Sequence, residues 1–86
     1  GRADEASDPR VRAAAGLRIE LGQPVAAGER DGVPISALRL CASARLVAAA
    51  CSDDPRAAAR ILDDARSALA KAVWLAEKVA EGGEPV

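Results

Sequence analysis

Between residues 53 and 83 the apolar positions recur with a helical period. At about 100° per residue, Ala58, Ile61, Leu62, Ala65, Leu69, Ala72, Leu75, Ala76 and Val79 fall on one broad face. The subset Ala58, Leu62, Ala65, Leu69, Ala72, Ala76 and Val79 alternates steps of four and three, as a heptad seam does. Such a face is either an ordinary core face or an alanine-rich seam for another chain. The ends of the segment carry helix signals. Asp54 can cap the first-turn N–H groups, Pro55 falls where a missing N–H costs nothing, and Gly82 can take the left-handed conformation that closes a helix. The pattern predicts a helix over 55–81, about 40 Å long at 1.5 Å per residue.

A second helix is expected over 36–51, with Ser36 as its cap. It is apolar on two sides. Leu40, Cys41, Ala44, Val47, Ala48 and Cys51 form one face, and Leu38, Ala42, Leu46 and Ala49 another. One side should meet the long helix; the other should meet the N-terminal third or another subunit. The short link at Ser52-Asp53 makes the two helices an antiparallel hairpin.

The N-terminal third reads less cleanly. Ser7-Asp8-Pro9-Arg10 repeats the cap-then-proline signal and predicts a short helix from Pro9 to Ala15, stopped at Gly16. Leu17-Arg18-Ile19-Glu20-Leu21 alternates apolar and charged residues, the period of a half-buried strand. Val33-Pro34-Ile35 can pair back with it across the turn-rich stretch Gly22 to Gly32, giving a small β-hairpin of 17–21 with 33–35. The competing reading extends the first helix to Leu21, with Gly22 as cap and Pro24 as stop. The resulting fold is mainly α, a single small domain over 1–86 with flexible tails at 1–7 and 83–86.

Composition sharpens this. Eighty-six residues with one Trp and no Phe, Tyr or Met leave alanine to dominate the apolar count. Buried alanine removes little area from water, so the core is thin. Thin cores gain stability by oligomerising or by docking on a partner. The net charge of −1 comes from interspersed acids and bases, which argues against a phosphate-tracking surface. The chain starts at Gly1 and contains no Met, as expected of a processed end, a tag remnant or a piece of a longer protein. Neither a signal sequence nor a transmembrane run is expected.

Candidate chemistry is sparse. Without His there is no Ser-His or Cys-His dyad, and no glycine-rich phosphate loop is present. Asp63 and Asp64 are helix neighbours that point about 100° apart and read as solvated charges. Cys41 and Cys51 would sit about 15 Å apart on one helix, too far for a mutual disulfide. They read as two small buried thiols, and unpaired thiols favour a cytoplasmic setting. No cofactor, metal or catalytic residue is expected.

The expected role is therefore non-enzymatic. The chain reads as a protein–protein interaction module, self-associating or a small adaptor, chaperone or subunit of a larger assembly. Trp74 is the single aromatic residue and projects away from the apolar face, among Arg56, Asp63, Ser67, Lys78 and Glu81. Two readings compete: residues 17–35 cover the ring, with its edge left at a contact surface, or the ring waits for a partner. Trp74, Lys78, Ser67, Leu38 and Leu46 are the candidate contact residues. The alternative is a small DNA-binding regulator, with a helix-turn-helix around Ser52-Asp54 that presents Arg56, Arg60 and Arg66. The neighbouring aspartates oppose phosphate binding.

Overall fold

The protein was analysed as a computed structural model that describes residues 7–82. Among the described residues, three helices and one two-stranded antiparallel sheet follow in the order α1 (Pro9–Leu21), β1 (Glu29–Arg30), β2 (Val33–Pro34), α2 (Ile35–Ala50) and α3 (Pro55–Ala80). The fold is mainly α, and its frame is the antiparallel pair α2 and α3. Of the tails expected at 1–7 and 83–86, all but Ser7 lie outside the described residues, and Ser7 has helical geometry.

Both cap-then-proline signals act as helix starts. The Asp8 carboxylate accepts from the Arg10 backbone N–H at 2.9 Å, and that of Asp54 from the Arg56 N–H at 3.0 Å. The Arg10 guanidinium also donates to Asp8, at 2.9 Å through its terminal nitrogen. These bonds hold the Asp8 carboxyl below the usual aspartate range, and Asp8 in turn raises Arg10. Gly82 takes a positive φ of 78° just past α3 and donates its N–H to the Val79 carbonyl.

The N-terminal third departs from expectation. Residues 17–21 are not a strand; α1 runs through Gly16 to Leu21 and ends at Gly22, as the competing reading has it. As a helix, the segment places Ala13, Leu17 and Glu20 on one side. Ala13 is buried against Leu46, Ala49, Leu62 and Ala65, with Leu17 packed beside them. Glu20 accepts from the Arg39 guanidinium at 2.6 Å. The arginine is nineteen positions away, so local alternation carried no trace of it.

The hairpin exists, but elsewhere. Glu29 pairs with Pro34 and Arg30 with Val33, around a two-residue loop of Asp31 and Gly32. Both loop residues have positive φ, 53° and 78°, as the tight type I′ turn requires and as Asp-Gly favours. The hairpin feeds directly into α2. Ser36 is therefore not the cap: α2 starts one residue earlier without a side-chain cap, and the Ile35 N–H is met by the Gly28 carbonyl at 3.0 Å.

Two buried clusters hold the pair together. Near the α2–α3 turn, Ala13 of α1 meets Leu46, Ala49, Leu62 and Ala65. At the far end Ile35, Ala72 and Leu75 are buried, with Ala26, Leu38, Ala76 and Val79 packed on them. The face of α3 read from the sequence is thus a core face rather than a seam for another chain: Ala58, Leu62, Ala65, Ala72 and Leu75 are all buried. The described residues span 47 × 20 × 14 Å, so the helices form a thin slab and much of each one faces outward.

Candidate interaction surface

Trp74 stands outside the core. It lies on the far half of α3, beyond the reach of α1, and is 53% exposed. Residues 17–35 do not cover it. The N-terminal third spends its apolar contacts elsewhere, Leu17 on the first cluster and Ala26 on the second. Beside the indole runs an open groove of about 420 Å³ lined by Arg66, Leu69, Ala70, Val73, Trp74 and Glu77, all from α3. Its floor is apolar and its ends are charged. Arg66 and Leu69 continue it into a second groove along α1, where Ile19 is exposed.

Lys78 Nζ sits over the indole, 5.5 Å from the ring centroid, within cation–π range. The same nitrogen is 4.0 Å from a Glu81 carboxylate oxygen. Lys78 therefore marks one edge of the surface with positive charge and Glu77 another with negative charge.

The other candidate contact residues separate. Ser67 is exposed two turns before Trp74 on α3, outside the groove lining. Leu38 is half-buried against the second cluster and lines a different groove with Val33, Ala68 and Leu75. Leu46 is buried in the first cluster, so it has no surface to offer a partner. The structure joins Trp74 with Lys78 and adds Val73, which the sequence reading had not singled out, and Leu69, which it had placed on the core face. Val73 had a positional signal: it lies one turn after Leu69, beside Trp74.

The cysteines also differ from expectation. Both are free and exposed, because α2 turns Ala42, Ser43, Leu46 and Ala49 inward instead. At the Ser52–Asp54 turn, Arg10 is engaged by Asp8 and feels Asp53 as well. That leaves mixed charge where a phosphate would have to approach. Among the described residues no group of three or more His, Cys, Asp or Glu side chains could hold a metal ion. None of the described helices is long and apolar enough to cross a membrane. No protein-family model, curated protein or solved structure matches the chain.

Proposed function

We propose that this domain is a non-catalytic protein–protein interaction module, an adaptor or subunit whose principal contact side chain is Trp74. One observation carries the reading: the chain's single aromatic ring is half-exposed beside an apolar groove with charged ends. Tryptophan is enriched among the few interface residues that dominate binding. A rigid ring already propped by Lys78 loses little conformational freedom on contact. The groove suits an apolar side chain from a partner, with Arg66, Glu77 and Lys78 forming the polar rim that excludes water.

The test compares wild type with Trp74→Ala as immobilised bait in cell extract, with helix content checked by circular dichroism. A protein retained by wild type and lost with the equally folded variant supports the reading. Identical retention by both baits removes Trp74 from the function.

A further inference from the structure

The groove beside Trp74 has a charge pattern that is its own complement when reversed. Along the outward side of α3, Arg66, Ala70, Val73 and Glu77 step by four, three and four residues, the spacing of a helix–helix seam. The stripe lies about 100° around the helix from buried Ala65, clear of the core face. Read backward, the steps are the same, apolar positions fall on apolar positions, and the basic end falls on the acidic end. Arg66 and Glu77 are exposed, and among the described residues neither is in an ion pair within the chain.

We propose that this groove binds a second copy of the chain, with the two α3 helices antiparallel about a twofold axis between Ala70 and Val73. The inference rests on the reading of the Trp74 groove as a contact surface and names its occupant. Charge selects both the occupant and the direction. In the antiparallel pair Arg66 faces Glu77 of the second copy, and the twofold repeats that contact at the other end of the seam. A parallel pair would set arginine on arginine and glutamate on glutamate, which is repulsive. The bordering charges follow the same rule. Toward the ends, Arg60 comes beside Glu81 of the second copy, and Asp63 beside Lys78. Arg12 lines the adjoining groove with Arg66, which adds to the positive potential that meets Glu77. Glu20 borders that groove too, but its charge is already met by Arg39 at 2.6 Å. A foreign partner would need this whole pattern in reverse; a second copy carries it by symmetry.

The apolar contacts fit the same axis. Ala70 packs on Val73 of the second copy, and the small side chain lets the helix axes approach to about 8 Å. The two Trp74 side chains fall on one side of the seam, offset along it by the rise of five residues, about 7.5 Å. Indole rings can span that offset edge to face. The two Leu69 side chains fall on the other side, where exposed Ile19 of α1 shares their groove. Each indole therefore loses water as the dimer forms.

Sedimentation at increasing concentration should show a monomer–dimer equilibrium in the micromolar range, with tryptophan emission moving to the blue as the dimer forms. Arg66→Glu and Glu77→Arg each set like charges face to face at both ends of the seam and should weaken the dimer about 10-fold or more. Both change exposed helix positions, so helix content by circular dichroism should be unchanged. The double variant Arg66→Glu/Glu77→Arg exchanges the two charges and should return close to the wild-type dissociation constant. A chain that stays monomeric at several hundred micromolar overturns the proposal. So does a dimer indifferent to the single reversals, or a folded double variant no tighter than the singles, because either places the contact elsewhere. If the chain stays monomeric while Trp74-dependent capture of another protein persists, the pairing falls and the proposed function stands. If the dimer shows these charge effects but Trp74→Ala changes neither dimerisation nor capture, the pairing stands and Trp74 loses its role as the principal contact.

Discussion

The two ends of the α2–α3 pair solve the same packing problem differently. At the turn end three helices converge, and the contact is built largely from alanine: Ala13, Ala49 and Ala65 pack with Leu46 and Leu62. Small side chains let three backbones approach closely. At the far end α1 is absent, and a hairpin takes its place. There the filling comes from larger residues, and Ile35 and Leu75 are the largest fully buried side chains. Only one side of α3 is covered at that end, and Trp74 stands on the side left open. The candidate site thus exists because α1 is only 13 residues long against the 26 of α3.

The largest expected effects come from emptying these clusters. Leu75→Ala should cost about 3–5 kcal/mol and Leu62→Ala about 2–4 kcal/mol, as buried large-to-small changes do. The order follows from the comparison. Leu62 has alanine neighbours from three helices that can close in, whereas Leu75 shares its cluster with only two other buried residues. Urea midpoints for the two variants check this. A larger loss for Leu62→Ala would invert the comparison.

Gly28→Ala asks whether the hairpin truly replaces α1. Gly28 has a φ of 97°, and an added Cβ would lie 2.7 Å from Val79 Cγ1. Strained φ alone costs of order 1–3 kcal/mol in a non-glycine residue, so a loss of about 2 kcal/mol is expected. Amide exchange should show it concentrated in 26–38 and the end of α3. An unchanged midpoint would mean that the hairpin contributes nothing to the far cluster.

Much of this division could be read from residue order. The α3 face, both aspartate caps and the antiparallel pairing follow from local signals that act within one turn. The course of 17–21 does not. Its alternation satisfies a strand period, but the deciding contacts are Leu17 on the first cluster and Glu20 with Arg39, both long-range. The hairpin was misplaced for a different reason. Asp31-Gly32 is a strong two-residue turn signal, and it competed with the more apolar run at 17–21. The exposed face of α2 was visible as a second apolar stripe. Which stripe turned inward depended on where α1 lay, and that in turn depended on reading 17–21 correctly.

The Glu20–Arg39 pair tests that link at intermediate size. Its side chains are mostly buried, and Glu20→Ala leaves the guanidinium without the carboxylate. Losing a partner from a buried charged hydrogen bond costs about 1–3 kcal/mol. The loss should appear as early exchange in α1, while the far cluster keeps its protection. Uniform loss across both ends would make the two clusters a single cooperative unit.

The smallest effect is expected at Trp74, and its smallness carries the argument. The indole is 53% exposed, lines an open groove with other α3 residues and has Lys78 over its ring. An exposed cation–π contact contributes about 0.5–1 kcal/mol. Alanine regains part of that through its better helix propensity. Trp74→Ala should therefore lower stability by no more than about 1 kcal/mol. Leu69→Ala, half-buried where α1 ends, should cost more, about 1–2 kcal/mol by lost apolar area. Wild-type emission from the monomer should lie toward the red, as for a solvated indole. A loss near 3 kcal/mol for Trp74→Ala, or blue emission from the monomer, would show the ring covered within the chain. The open side of α3 would then be closed, and the asymmetry between the two ends would no longer account for a binding surface.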